Sequence, residues 1–475
     1  MKVIKKITAF LLIIVFTLSC INTSVYADSS IRRTYDVFVN GEEVGEIPVL
    51  DLNYDNNMYF SLKSIAYYLK ETNKAITVSV KDDEIQVITG QSYYEEPSQW
   101  TSEQLKDRPK WKLKRTPFFI DEAEKKYYSI TGPVGEEGSI DAFFNPLRLA
   151  MALDVNIEVE SGKISIDTED HFSVSDVELD NSGYLQGVNS LLIGNGTTGD
   201  VYFDYCADKI VPIASTTKLM TYFVMMDAVT NGEITLDDDV NISDEARRLS
   251  ESIDGLVSFE GVNTVPLSEL VDAMLLPSCN ECALAIAEHV SGSEEDFVIR
   301  MNEKAKELGL EYAEFYNSNG LPVYEKQLLP AKMQNHMTAK DMFVICSELV
   351  KKYPHIMNIT SKKEEDCPTL GYTAKNTNAL LYNMDEVKGL KTGTTNKSGA
   401  CVTIVMPVEK DGVTNNLICV LFGAEGEFDR ALIAELASRI ALTKLDGTEI
   451  VTEEKYTITP DDPELDVERM LRNLK

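Results

Sequence analysis

Apolar and polar positions alternate in two rhythms through the first third of this chain, and the alternation occurs twice. Val37-Phe38-Val39-Asn40-Gly41 predicts a strand running into a turn. Within Tyr59 to Leu69, the residues Leu62, Ile65, Ala66 and Leu69 recur at helical spacing. Ile76 to Val80 and Glu84 to Ile88 then alternate as two strands split by Lys81-Asp82-Asp83. The plan repeats from Phe118-Phe119-Ile120-Asp121, a strand. A helix at Phe143 to Leu153 aligns with the first 84 residues on, and a hairpin, Asn156 to Glu160 and Lys163 to Asp167, turns at Ser161-Gly162. A duplicated helix plus hairpin predicts a small α+β repeat domain over residues 32–168, with no chemistry of its own. Residues 91–116 are a polar connector, and residues 169–185, rich in Asp, Ser and Glu, are a linker.

The pattern changes after the linker. Gly196-Thr197-Thr198-Gly199-Asp200 predicts a turn between strands at Ser190 to Ile193 and Val201 to Asp204. A long apolar run, Leu219 to Met226, predicts a buried helix. Val257 to His289 is mostly helical after a loop, and residues 297–308 and 338–351 carry helical spacing. Ala400 to Val405 and Asn416 to Phe422 are continuous apolar runs, as buried strands are, and Phe428 to Leu442 closes the domain as a helix. Residues 186–445 therefore form the second domain, and residues 446–475 a charged tail with Pro460 and Pro463.

Residues 1–27 predict a secretion signal rather than part of the fold. Lys2, Lys5 and Lys6 precede an apolar run, Ile7 to Phe16, too short to span a bilayer comfortably, and Val25-Tyr26-Ala27 is a small-x-small cleavage site. An uncleaved anchor or a lipid anchor on Cys20 are the alternatives; Thr17 stands where a lipid signal would have an aliphatic residue. The expected location is outside the cell, on the wall side of the cytoplasmic membrane. Net charge is −32, and −35 once the signal's three lysines are removed, which repels nucleic acid and anionic membranes. Seven cysteines remain: Cys206, Cys279, Cys282, Cys346, Cys367, Cys401 and Cys419. Cys279-x-x-Cys282 is open to a redox pair or half a zinc site, but no second pair accompanies it, and buried thiols are the plainer expectation.

Candidate chemistry begins at Ala214-Ser215-Thr216-Thr217-Lys218. Residues three apart share a helix face, so Ser215 and Lys218 can meet, giving a nucleophile its own base where no histidine is at hand. Alone, Ser-x-x-Lys arises readily by chance. Ser278-Cys279-Asn280 follows Leu275-Leu276-Pro277, where Ser278 and Asn280 can also serve as plain caps of a helix over 281–290. Lys391-Thr392-Gly393 precedes a buried strand. The three in this order resemble the signature of penicillin-binding proteins and serine β-lactamases. Pro212 to Met220, Phe315-Tyr316-Asn317-Ser318-Asn319-Gly320-Leu321-Pro322, Met337 to Met342, Asn376-Thr377-Asn378 and Gly389 to Thr395 sharpen the resemblance toward low-molecular-mass, serine-type D-alanyl-D-alanine carboxypeptidases, over roughly residues 180–445. The helix-and-hairpin repeat resembles the copper amine oxidase N-terminal-like domain of bacterial surface proteins. No histidine cluster there argues for copper, and its expected role is binding or spacing, with a cell-wall or surface component as the expected ligand.

That resemblance implies an α/β (α+β) fold: an antiparallel sheet flanked by helices, plus a helical subdomain. It implies an acyl-enzyme on Ser215 formed from a peptidoglycan stem peptide with loss of the terminal D-alanine, covalent capture of β-lactam antibiotics, and no cofactor or metal. Lys218 is the expected base, held neutral by burial and by the Lys391 cation. Ser278 is expected to pass a proton to the leaving amine and Asn280 to bond the substrate backbone. Lys391 and Thr392 suit the substrate carboxylate. Gly393 is expected to let the acyl chain approach its strand closely, and the N–H groups of Ser215 and Thr394 to form the oxyanion hole. Arg430 is a weaker candidate for the substrate carboxylate, since a lone arginine on a helix is more often a surface charge. A class A β-lactamase would need a Glu four residues before an Asn between the second and third motifs; none occurs. A non-catalytic wall-binding or β-lactam-sensing protein is the other alternative, and the intact motif residues count against it.

Overall fold

The computed structural model describes residues 33–447 except 52–57, 82–83, 97–112, 115, 128, 134–139, 161, 170, 174–178, 180–183 and 325–331. The expected secretion signal, most of the connector and nearly all of the tail lie outside the described residues. The chain divides after Phe172 into two compact units.

The first unit contains β1 (Arg33–Val39), β2 (Glu42–Asp51), β3 (Met58–Ser61), α1 (Leu62–Leu69), β4 (Ile76–Lys81), β5 (Glu84–Thr89), β6 (Leu113–Lys114), β7 (Phe118–Ile120), β8 (Ala123–Lys125), β9 (Ser129–Pro133), β10 (Ile140–Phe144), α2 (Pro146–Leu153), β11 (Asn156–Glu160) and β12 (Lys163–Asp167). Local chemistry starts each helix. Ser61 Oγ accepts the Ser64 N–H ahead of α1, and Asn145 Oδ1 accepts the Leu147 N–H ahead of α2, whose first residue is proline.

The two repeats are exchanged, which their sequences do not reveal. Val37 and Val39 of β1 pair in parallel with Ile164 and Ile166 of β12, in the second repeat. Phe118 and Ile120 of β7 pair in parallel with Ile85 and Val87 of β5, in the first. The matching extends to side chains: the Thr168 N–H donates to Asn40 Oδ1 (2.9 Å) and the Thr89 N–H to Asp121 Oδ1 (2.8 Å). β3 and β10 meet antiparallel, Phe60 opposite Phe144 and Ser61 opposite Phe143. Each repeat's opening strand thus completes the other's hairpin, so neither repeat can satisfy its strand edges alone.

Asp141 of β10 is buried at this junction, accepting from Ser61 Oγ and from the Ala142 N–H. Burial pushes its carboxyl up to about 6, against the lowering effect of the Ser61 hydrogen bond. A folded-state value above the unfolded one means the folded protein keeps a proton that the unfolded chain has lost. Stability of this unit is therefore expected to fall as pH rises from about 4 to about 6, by on the order of 3 kcal/mol, and then level off. Asp141→Asn should flatten that dependence; urea unfolding curves at pH 4, 5, 6 and 7 measure it.

The second unit is built on an antiparallel sheet. Its strands are β13 (Ser190–Asn195), β14 (Asp200–Tyr205), β15 (Leu390–Thr395), β16 (Gly399–Lys410) and β17 (Val413–Ala424), ordered β14-β13-β17-β16-β15. Between β14 and β15 come α3 (Lys218–Thr230), α4 (Asp244–Ser250), α5 (Leu267–Leu275), α6 (Asn280–Ser291), α7 (Glu294–Glu307) and α8 (Ala339–Lys352), together with shorter pieces; α9 (Glu427–Asp446) follows β17. The alternation of β17 sorts the layers. Ile418, Val420 and Phe422 join one core with Met220, Met225, Leu270, Ile286 and Ile345 from the inserted helices. Leu417, Cys419 and Leu421 are also buried but lie outside that core, on the face against α9. The closing helix runs four residues past the expected Leu442, to Asp446.

Candidate active site

The turn that carries Ser215 is a short 3-10 helix, Ala214–Thr217, which hands over to α3 at Lys218. Ala214 has φ 48°, an uncommon conformation for a residue with a side chain. β15 is the outermost strand on that side of its sheet, so it carries N–H groups with no strand beyond it. The Ser215 turn is packed against it. A Cβ at Gly393 would stand 2.7 Å from the Ser215 nitrogen and 3.0 Å from the Ala214 Cβ. Glycine at 393 is thus needed for the serine turn to touch the strand.

Lys218 is completely buried. Its Nζ lies 2.9 Å from Ser215 Oγ, 2.7 Å from Asn280 Oδ1 and 2.8 Å from the Asn319 carbonyl oxygen. The last two can only accept, whereas the serine hydroxyl can donate. A neutral amine has two N–H bonds and one lone pair, so it can donate to Asn280 and Asn319 and accept from Ser215. This is the arrangement a base needs. Burial first, and the Lys391 cation second, push the Lys218 ammonium well below the ordinary lysine range, while Glu281 acts in the opposite direction. Both causes were expected from the sequence, and burial is the larger of the two. Lys391 is itself buried, and burial followed by the Arg430 guanidinium bring it down to about 7.

The Asn319 carbonyl is aimed by its loop. Asn317 Oδ1 accepts the Gly320 N–H (2.7 Å), and Asn335 Oδ1 accepts the Tyr316 N–H (2.7 Å). Gly320 has φ +90°, and a Cβ there would stand 2.0 Å from the Ala214 carbonyl oxygen. The Phe315–Pro322 stretch was legible as a resemblance, but a backbone carbonyl has no sequence signal, so its contact with Lys218 was not.

The second motif differs from its simplest expectation. The α6 N-cap is Cys279, not Ser278 or Asn280: Cys279 Sγ accepts the Cys282 N–H, and Asn280 is the first helical residue. Cys279 and Cys282 form a disulfide, where two buried thiols were expected. Asn280 Nδ2 also donates to the Asp254 carbonyl (2.9 Å). Ser278 sits at φ 78°; its hydroxyl is buried and bonds no described residue. The structure therefore joins Asn280 to Lys218 but leaves Ser278 outside that network.

The third motif lies along β15. Lys391 Nζ donates to the Thr392 carbonyl (3.0 Å), and Thr392 Oγ1 is 2.5 Å from Thr377 Oγ1. Thr394 is exposed, and its Oγ1 accepts from Arg430 Nη1 (3.1 Å). Arg430 is buried beside this strand, not at the surface as expected of a lone helical arginine. α9 lies on the sheet, which covers that side of the helix.

A family model described as D-alanyl-D-alanine carboxypeptidase (peptidase S11) matches residues 186–426, just over half of the chain. The chain belongs to that family. It is similar to the D-alanyl-D-alanine carboxypeptidase DacF of Bacillus subtilis, 31% identical over 236 residues, covering 49% of this chain and 56% of that protein. It is also similar to the Escherichia coli carboxypeptidase DacA, 29% identical over 214 residues, 44% of this chain and 50% of that one. Among solved structures, penicillin-binding protein D2 from Listeria monocytogenes in its ampicillin-bound form superposes with a TM-score of 0.47 at 27% identity, covering 54% of this chain and 97% of that chain. The chain spans about half the length of these curated relatives.

Proposed function

We propose that the second unit is a serine-type D-alanyl-D-alanine carboxypeptidase acting on peptidoglycan stem peptides, and that it takes penicillins as slow acylating substrates. The observation that carries this reading is the Lys218 amine, which has two fixed acceptors and one hydroxyl around it. In the proposed reaction, Lys218 accepts the Ser215 proton as Oγ attacks the carbonyl of the penultimate D-alanine. The N–H groups of Ser215 and Thr394 receive the developing oxyanion. Ser278 passes a proton to the departing D-alanine, Asn280 bonds the peptide backbone, and Lys391, Thr392 and Arg430 hold the terminal carboxylate. Water then releases the acyl group. Family membership supports the reaction class, and the short stretch from Lys218 to Ser215 supports the proton path.

The same proposal has residues 1–27 exporting the chain to the wall side of the membrane and the first unit attaching or spacing the enzyme there. Among the described residues no helix is long and apolar enough to cross a membrane. Incubating the protein with a synthetic pentapeptide ending in D-Ala-D-Ala is expected to release one D-alanine per peptide, and a fluorescent penicillin is expected to label the chain. Ser215→Ala should lose both. Release of D-alanine by Ser215→Ala at the wild-type rate would reject the proposal.

A further inference from the structure

Glu281 follows the second motif directly and belongs to none of the three. It is completely buried. Its Oε1 accepts the N–H groups of Leu256 (2.7 Å) and Val257 (2.5 Å). Its Oε2 is buried with no hydrogen-bond partner. An interior carboxylate with one oxygen unpaired costs stability, so its presence calls for a compensating use.

The surroundings identify that use. Glu281 and Asn280 are adjacent on the first turn of α6, and both grip one loop: Asn280 through the Asp254 carbonyl, Glu281 through Leu256 and Val257. The loop is folded tightly onto the end of α4, since a Cβ at Gly255 would stand 2.2 Å from the Ser250 carbonyl oxygen. Pulling on this loop therefore pulls on Asn280, whose other side-chain atom is bonded to Lys218. Glu281 is also the anion that acts on Lys218. The charged groups that face that lysine are Lys391 from β15 and Glu281 from α6, with Arg430 from α9 behind Lys391. Burial and Lys391 together favour a neutral but weak base. The most effective base has its affinity for protons near the working pH, and an anion close by restores part of that affinity.

We propose that Glu281 is a positioning residue of the acylation site, whose carboxylate clamps the 254–257 loop onto Asn280, and so onto Lys218, and places a negative charge in that network. This rests on Lys218 being the base, as proposed above. Two variants separate the two parts. Glu281→Gln keeps an oxygen for Leu256 and Val257 but removes the charge. Glu281→Asp keeps the charge but withdraws it from the loop.

The test is the second-order rate of acylation by a fluorescent penicillin between pH 5 and 10, with thermal melting run alongside to count folded protein. In wild type the rate should rise with pH as Lys218 becomes neutral. Glu281→Gln should move that rise to lower pH by on the order of one unit and lower the plateau several-fold. Glu281→Asp should keep the rise near its wild-type position and lower the plateau several-fold. Curves that superpose on wild type per folded molecule for both variants would overturn the proposal. A wild-type protein that takes no penicillin at all would instead overturn the carboxypeptidase reading, so the two failures are distinct.

Discussion

Lys218→Arg is expected to stop acylation of Ser215 as completely as Lys218→Ala does. Arginine keeps a cation in place, but a guanidinium stays protonated in proteins and cannot accept the serine proton. Loss of a positioned base lowers rates by between about 100-fold and 10,000-fold, and both variants should fall in that range. The pH dependence supplies the sharper criterion. Lys218 lies well below the ordinary lysine range because it is buried and faces Lys391, so wild-type acylation is expected to climb as pH passes through its lowered value. In the arginine variant the rate should sit at a floor with no such climb. Lys218→Ala additionally strands Asn280 Oδ1 and the Asn319 carbonyl in a buried site. A loss of stability of about 1–3 kcal/mol per stranded acceptor is the upper expectation. Stopped-flow acylation with a chromogenic cephalosporin, across pH, measures both effects. An arginine variant that is acylated at a wild-type rate would show that some other group takes the proton.

Gly393→Ala is expected to be nearly as damaging, for a reason of shape rather than charge. Its added methyl would meet the Ser215 nitrogen at 2.7 Å and the Thr216 nitrogen at 3.1 Å, both backbone atoms that cannot swing aside. Either β15 or the serine turn must move, and each carries one of the two N–H groups proposed for the oxyanion. Removing one such donor typically costs 100-fold to 1,000-fold, so acylation should drop by about 100-fold or more. Overpacking should cost about 1–3 kcal/mol of stability. Gly412→Ala is the control. Gly412 has φ +76° in the open turn between β16 and β17, with nothing near a new Cβ. That variant should lose stability through backbone strain while its acylation rate per folded molecule stays at the wild-type level. Equal losses of acylation in the two variants would mean that the Gly393 effect is only destabilisation.

Particular residues show where sequence reasoning reached and where it stopped. The pairing of Ser215 with Lys218 was legible because a helical turn brings residues three apart together, whatever the rest of the chain does. The place of α8 was legible from helical spacing over 338–351, and the structure starts it with a capping box between Thr338 and Asp341. Arg430 was misplaced because its exposure depends on which side of α9 the sheet covers, and that side is set by β17, not by neighbours along the helix. Cys279 and Cys282 were expected as thiols because a lone Cys-x-x-Cys is equally consistent with several fates. Ser278 and Asn280 are both good capping types, and the chain instead starts α6 from Cys279 between them.

The amino-acid sequence by itself determined the rhythm of strands and helices, the duplication of the first unit and the three motifs of the second. All of these are set by residues within a few positions of each other, through side-chain alternation, helical spacing and capping. Tertiary structure alone decided the exchange of strands between the repeats, the aim of the Asn319 carbonyl at Lys218, the burial of Arg430 beside β15 and the clamp that Glu281 puts on its loop. Lys218 and Asn319 are joined by a hydrogen bond spanning 101 residues, and Glu281 reaches back 25 and 24 residues to Leu256 and Val257. Contacts of that kind are selected by which groups burial leaves unpaired once the core has closed. No local pattern records them.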